Sequence, residues 1–212
     1  DGFARVARYF ESLPSHAHTA SAPPDPLPAL ETPQRLDVVA EVPNDRLHIA
    51  FRLPVETERD FLAADLALEA FAGLSMSRLV RRLVRQDQLA NSVSAHAMGF
   101  IGGVSLGLIA IDIAHDVDHA LVESVFLEEL TAFLAIGPTP TEMEAALAQS
   151  ERAWLQALAS QEERADLISH YALLHDDAGY INTLLDELTA VTAADATRVA
   201  RHWLAPSARA VV

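Results

Sequence analysis

The sequence predicts an α+β domain in which helices pack on one face of an antiparallel or mixed sheet. Two strand patterns joined by a glycine-containing turn lie near its middle, a run of helical patterns follows them, and a short strand pattern closes the chain. Hairpin-linked strands followed by consecutive helices are typical of folds that segregate helices from strands. Half of the 212 residues are hydrophobic, which is enough for a substantial core.

The first residues predict a short helix and then a linker. Phe3, Val6 and Phe10 follow helical spacing, which predicts a short amphipathic helix over residues 1–13. Six of the 11 prolines precede residue 36, and such a cluster favours extended polyproline II geometry. We therefore interpret residues 21–35 as a Pro-rich linker and residues 36–212 as the main domain.

Four strands are predicted in the main domain, together with a closing one. Residues 35–42 are rich in Val and Leu, and residues 47–53 alternate apolar and polar side chains. The glycines after position 98 separate two further strand patterns, 91–98 and 104–113, as a hairpin connection would. Residues 208–212 predict the last strand.

Helical patterns fill most of the remaining sequence. An almost wholly apolar helix is predicted at 61–72, ending at Gly73, and a basic one at 77–86. Thr139 and Glu142 form a capping-box pattern with Pro140 at the first helical position, and Thr192 with Asp195 begins a helix that ends near Trp203. Two further helices follow from the spacing of apolar residues in 122–133 and 167–174.

Composition excludes several functional classes. The formal net charge is −15 and the sequence contains no Lys, so nucleic acid is not an expected partner. The absence of Cys excludes a thiolate nucleophile, a disulfide framework and a cysteine zinc site. No apolar stretch reaches the length of a membrane span.

The segment from His115 to His119 is the one pattern similar to a metal site. Two histidines four residues apart on a helix could chelate zinc, with an aspartate as base. Alternatively, Asp116 or Asp118 caps the following helix and His115 precedes it, which would separate the two rings. We expect no metal in this chain and keep a metal hydrolase using His115 and His119 as an alternative; His170 and His175 are expected at the surface or in helix packing.

The basic face of the helix at 77–86 allows two interpretations. Arg78, Arg81, Arg82 and Arg85 could form a solvated face, or they could receive an acidic or extended peptide. Charge patterning alone leaves both open.

The ordered set of these features resembles the insulinase or pitrilysin-type zinc metallopeptidases, which include the processing peptidases. The resemblance lies in four motifs and the closing helix and strand; the motifs are LHIAFRLP from residue 47, SRLVRRLV from residue 77, QLANSVS from residue 88 and GPTPTEME from residue 137. It implies a clamshell of two homologous α+β domains. Residues 1–20 would then be the C-terminal tail of the first domain, which carries the zinc motif H-x-x-E-H, and the main domain would be the second, non-zinc one.

The resemblance also implies a function and its partners. Zinc would be bound in the full-length protein or in a homologous partner subunit, and this chain alone would be inactive. The expected substrate is a peptide or unfolded polypeptide, and a bacterial periplasm or cell envelope is the implied location.

The substrate-facing residues of the second domain depart from the family pattern. Active members have a Tyr after the Leu-Ala or Leu-Gly pair and an Arg seven positions earlier; these positions hold Asn91 and Val84 here. Arg85 lies one residue out of register, which on a helix rotates it by about 100°. Arg85 and Asn91 are the candidate substrate-facing residues, and no catalytic residue is expected in this chain.

Two functions follow. The chain is either the non-zinc half of a metalloendopeptidase, enclosing and binding peptide while the absent domain hydrolyses it, or a catalytically silent homologue that serves as a binding or assembly subunit. The loss of both the Tyr and the Arg favours the second.

Overall fold

A five-stranded mixed sheet is the centre of the computed structural model, which describes residues 2–14 and 30–212. Its spatial order is β1-β5-β2-β4-β3; the strands are β1 Gln34–Arg35, β2 Arg46–Leu53, β3 Ala90–Met98, β4 Ser105–Ile113 and β5 Arg209–Val211. β1 and β5 are parallel, and the other neighbours are antiparallel. The predicted α+β class and the β3–β4 hairpin are confirmed.

Helices make up most of the remaining structure. They are α1 Gly2–Phe10, α2 Arg59–Leu68, α3 Arg78–Val80, α4 His119–Ile136, α5 Pro140–Ala159, α6 Gln161–Leu174, α7 Leu184–Thr189 and α8 Ala193–Trp203. α2 continues into a π-helical turn, Glu69–Gly73, and α3 into another, Arg81–Gln86. The sequence did not predict α7 or the 3-10 turn Ala178–Asn182 before it. None of the described helices is both long enough and apolar enough to cross a membrane.

The core lies between the sheet and the helices on one of its faces. Every second residue of β2, from Leu47 to Leu53, is buried, and β4 alternates in the same way. Phe71, beyond α2, lies 6.0 Å from the ring of Phe126 and 5.1 Å from that of Phe133 on α4. This period of two in the strands places one sheet face against the helices.

Both predicted capping boxes are present. The Thr139 hydroxyl accepts from the Glu142 N–H and the Glu142 carboxylate accepts from the Thr139 N–H, at the start of α5. Thr192 and Asp195 make the equivalent pair of bonds at α8. These caps were predictable because both partners lie within one helical turn.

The predicted strand at 35–42 is wrong beyond Arg35. Leu36, Val38 and Val39 lie outside the sheet, with exposed fractions of 61%, 65% and 101%. The neighbouring β5 ends at Val211, whose carbonyl accepts the Leu36 N–H at 2.9 Å, so β5 offers no partner beyond Leu36. The sheet begins at Gln34, two residues before the predicted start of the main domain, and residues 21–29 of the predicted linker lie outside the described residues.

Candidate functional site

Strand β3 forms one edge of the sheet, and within residues 2–14 and 30–212 it pairs with β4 alone. The N–H of Ile113, on β4, donates to Asp45 O at 2.9 Å. The odd-numbered residues of β4 therefore direct their backbone N–H and C=O groups toward β2. Even-numbered residues therefore bond to β3, and Ser94 pairs with Ala110. Because N–H groups alternate along a strand, those of Val93, Ala95 and Ala97 point away from β4, toward the open edge.

One of these edge groups is occupied. Asp65 of α2 accepts a hydrogen bond from the backbone N–H of Ala97. Burial, with a smaller contribution from the Glu69 carboxylate, raises the pKa of Asp65 to about 6. The edge is thus closed near Met98 and has no neighbouring strand at Val93 and Ala95 among the described residues.

The predicted substrate-facing residues lie just before and at the start of this edge strand. Asn91 is exposed at a bulge in β3, and its Nδ2 donates to Ile113 O at 3.2 Å. Arg85 is exposed on the π-helical turn, and its Nη2 donates to Ser75 O at 3.0 Å. Val84, one residue earlier, is half-buried and packs against the core.

Two of the four arginines on the predicted basic face form ion pairs within the protein. Arg78 was predicted on this face, but it is buried, with an exposed fraction of 7%, and pairs with Glu142. Arg82 lies close to the carboxylates of Asp87, Glu128 and Glu129. Because Arg78 and Arg82 are paired in this way, mainly Arg81 and Arg85 remain exposed to solvent.

The structure does not place His115 and His119 on one helix. α4 begins at His119 with Asp118 as its N-cap, and His115 precedes it in a turn where Asp116 has φ +61°. His115 Nε2 lies 3.4 Å from Asp116, whereas His119 Nε2 lies 2.9 Å from Asp45. Each ring therefore faces its own carboxylate, and the i, i+4 helical geometry of the metal alternative is absent.

A different histidine cluster was not predicted from sequence. His170 on α6 and His175 at its C-cap both face Glu56, which follows β2. The ligand atoms of these three residues lie within 4.8 Å of one another, and they form the only such group of possible metal ligands within the described parts of the chain. The separation of 114 residues between Glu56 and His170 explains why no local motif revealed it.

A cavity of about 370 Å³ adjoins this cluster. Glu56 and His175 lie on its wall together with four aromatic side chains, Phe61, Trp154, Tyr171 and Tyr180. Burial raises the pKa of Tyr171 to about 12, with a smaller effect from Glu56. Trp154, which is half-buried on α5, thus forms part of this cavity wall.

The chain is similar to known proteins over its whole length. Residues 3–150 match the model of the peptidase M16 inactive domain. A protease from Helicobacter pylori is 18% identical, with TM-score 0.85, over 99% of this chain and 51% of its own. A candidate zinc protease from Bordetella pertussis Tohama I is 22% identical, with TM-score 0.70, over 82% of this chain and 95% of its own.

A third structural neighbour belongs to a large assembly. A chain of complex III2 from Candida albicans is 16% identical, with TM-score 0.69, over 86% of this chain and 45% of its own. The present chain therefore spans about half the length of the Helicobacter protease and of this complex III chain. No curated protein is similar enough in sequence to count as a match.

Proposed function

Because the chain belongs to the peptidase M16 inactive-domain family, we propose that it is the non-zinc half of a zinc metallopeptidase, which closes over an extended peptide and binds it. The chain contains no H-x-x-E-H sequence, so its residues do not fit the catalytic zinc that the name of the Bordetella relative implies. Hydrolysis would be carried by a domain or partner subunit outside this chain. A bacterial envelope location is part of the same proposal.

The edge of β3 is the observation that supports peptide binding. An extended peptide adds to a sheet by bonding to the free N–H and C=O groups of an edge strand. Val93 and Ala95 present such groups next to Asn91, and no strand of the described chain covers them. We expect the peptide to lie along Asn91–Ala95, with Arg85 close to one of its ends.

Residue-resolved amide hydrogen exchange tests this mode of binding. The chain would be incubated with and without an excess of β-casein, a largely unfolded polypeptide, and exchange compared along β3. We expect slower exchange at Val93 and Ala95, whose N–H groups would bond to the added strand, and little change at Ser94, whose N–H already bonds to β4. Binding that leaves Val93 and Ala95 unchanged would contradict the proposal.

A pair of variants at one position provides the control. Ala95→Pro removes an outward N–H without removing a β3–β4 hydrogen bond, whereas Ala95→Val keeps that N–H and adds side-chain volume. We expect the Pro variant to bind β-casein at least about 10-fold more weakly, because one main-chain bond and the extended register are lost. Equal losses in the two variants would indicate a packing effect instead.

A silent binding or assembly subunit is the second candidate function. Val84 and Asn91 occupy the positions where the family pattern has Arg and Tyr, and Val84 packs against the core. The similarity to a chain of complex III2 agrees with such a role. One observation distinguishes the two functions. An H-x-x-E-H domain in the same polypeptide or in a tightly bound partner, together with peptide turnover by the intact protein, would indicate the non-zinc half of a peptidase.

A further inference from the structure

The cluster of Glu56, His170 and His175 has the composition of a transition-metal site. Two imidazoles and one carboxylate form a donor set that suits Zn²⁺ and neighbouring divalent ions. His170 Nε2 lies 2.8 Å from Glu56 Oε1, and His175 Nε2 lies 3.7 Å from the same oxygen. All three side chains therefore point their potential ligand atoms into one small space.

His175 gives a second, independent indication of a ligand. Its side chain is 9% exposed, and its Nε2 is buried without a hydrogen-bond partner. A buried polar atom left unpaired has lost its hydrogen bonds to water without gaining new ones, so native proteins rarely keep one without a reason. A metal ion between the three residues would bind this nitrogen directly.

The backbone around Glu56 holds its carboxylate in place. The Glu56 N–H donates to Phe100 O at 2.9 Å, which ties the residue to the β3–β4 connection. A Cβ at Gly99 would lie 2.6 Å from Glu56 Oε2, so the carboxylate in its present position lies directly against this glycine. The side chain is 18% exposed, which limits the water that would compete for it.

Aromatic rings orient the two histidines. His175 stacks on Tyr180 with ring centroids 5.3 Å apart, and its edge meets Tyr171 at 5.0 Å. The His170 ring also meets the Tyr171 ring edge to face, with centroids 5.2 Å apart. Rings held in this way lose little conformational freedom on binding an ion, which favours a preorganised site.

We propose that Glu56, His170 and His175 bind a divalent transition metal, with Zn²⁺ as the test ion. Zinc bonds of about 2.0 to 2.2 Å in tetrahedral geometry bring ligand atoms to about 3.3 Å from one another, so the three atoms, which now lie within 4.8 Å of one another, would shift by about 1.5 Å or less. The fourth position would face the aromatic cavity and hold water or a small ligand. The proposal does not depend on peptide binding at β3.

Metal stoichiometry and calorimetry test the proposal. The 212-residue chain would be stripped with a chelator, dialysed and titrated with Zn²⁺ by isothermal titration calorimetry, with elemental mass spectrometry as a second readout. We expect one Zn²⁺ per chain, and about 100-fold weaker binding in His170→Gln and in Glu56→Gln, since each removes one ligand atom. Cobalt substitution should give the intense visible bands of a four- or five-coordinate site in the parent chain and lose them in both variants.

Matched controls separate this site from other histidines. His119→Gln removes an imidazole that also faces a carboxylate, Asp45, but has no third ligand within residues 2–14 and 30–212, and it should leave Zn²⁺ affinity unchanged. The double variant His16→Gln, His18→Gln removes the H-x-H sequence near the N-terminus and should also keep the site. Glu56→Asp, which retains a carboxylate, should recover part of the affinity that Glu56→Gln loses.

Two results would overturn the proposal. One is weak, substoichiometric binding by the parent chain; the cluster would then be a hydrogen-bonded histidine–carboxylate group in which one imidazole shares its proton with Glu56. The other is tight binding that His170→Gln and His119→Gln weaken equally. Circular dichroism of each variant would establish that the fold is retained, so that lost binding reports the lost ligand.

Discussion

The guanidinium group of Arg78 lies along the carboxylate of Glu142 and donates two parallel hydrogen bonds, Nε to Oε1 and Nη2 to Oε2, both 2.7 Å long. Arg78 also donates to Gly137 O at 2.8 Å and lies 5.1 Å from the centre of the Phe133 ring. The same Glu142 completes the capping box of α5 with Thr139. One carboxylate thus joins α3, α4 and the start of α5.

Removal of this carboxylate should cost far more stability than removal of the cap alone. Glu142→Ala leaves the buried Arg78 guanidinium without its counter-charge, and we expect a loss of about 3 kcal/mol in the free energy of unfolding. Thr139→Ala, the control, removes only the cap hydroxyl and should cost about 1 kcal/mol. Urea denaturation at pH 7 measures both, and equal losses would show that the ion pair adds nothing to the cap.

Gly137 should be nearly irreplaceable at the C-terminus of α4. Its φ of +77° with ψ of −177° lies in a region essentially restricted to glycine, and an added Cβ would overlap the Thr197 hydroxyl. We expect Gly137→Ala to destabilise the domain by about 2 to 4 kcal/mol because strain and overlap add.

Gly102→Ala is the matched control for that change. No atom lies within 4 Å of the position a Cβ would take at Gly102, and this glycine does not have a positive φ. The midpoint of thermal unfolding of Gly102→Ala should stay close to that of the parent chain. A similar drop in both variants would show that glycine content, rather than the geometry at Gly137, determines the effect.

The contrast between these contacts shows which features were predictable. The capping boxes follow from residues three positions apart, so the sequence reveals them directly. The Arg78–Glu142 pair spans 64 residues and the Glu56–His170 contact spans 114, so both depend on how helices pack on the sheet. From sequence, the face containing Arg78 was therefore interpreted as either solvated or peptide-binding, and His170 was expected at the surface or in helix packing.

The strand predicted at residues 35–42 is also wrong because its formation depends on a distant part of the chain. A helix satisfies its hydrogen bonds within the segment, but a strand needs a neighbour, and a Val- and Leu-rich composition does not specify one. Residues 47–53 had the additional period-two pattern that a half-buried strand requires, and β2 formed as predicted. A Val- and Leu-rich composition without this alternation is therefore the weaker indication of a strand.

Asp65 should make stability depend on pH between about 4 and 6. Burial, followed by the Glu69 charge, raises its pKa from 3.8 to about 6 in the folded state, so the folded protein binds a proton that the unfolded chain has already released. Stability should therefore fall as pH rises from 4 to 6, and stay lower above that window. Asp65→Asn keeps an acceptor for the Ala97 N–H without the charge.

The variant should be more stable than the parent above pH 6 by about 1 to 3 kcal/mol and nearly equal to it below pH 4. Urea denaturation at several pH values measures the difference. Asp166→Asn, which changes an exposed carboxylate on α6, should leave the slope unaltered. If Asp65→Asn and Asp166→Asn change the pH dependence of the free energy of unfolding equally, its cause would be the net charge and not Asp65.

Restoring an aromatic hydroxyl at position 91 should increase peptide turnover by the intact protein if this chain serves as the non-zinc half of a peptidase. Asn91 is exposed at the start of the edge strand, where a tyrosine hydroxyl could donate to a peptide carbonyl as negative charge develops on its oxygen. Such a bond forms mainly in the transition state, so we expect kcat to rise by about 10-fold with little change in KM. Asn91→Phe carries the same ring without the hydroxyl and should give no increase. Equal rates for Asn91→Tyr and Asn91→Phe would show that the position does not face the reacting carbonyl, which would favour the silent binding or assembly subunit.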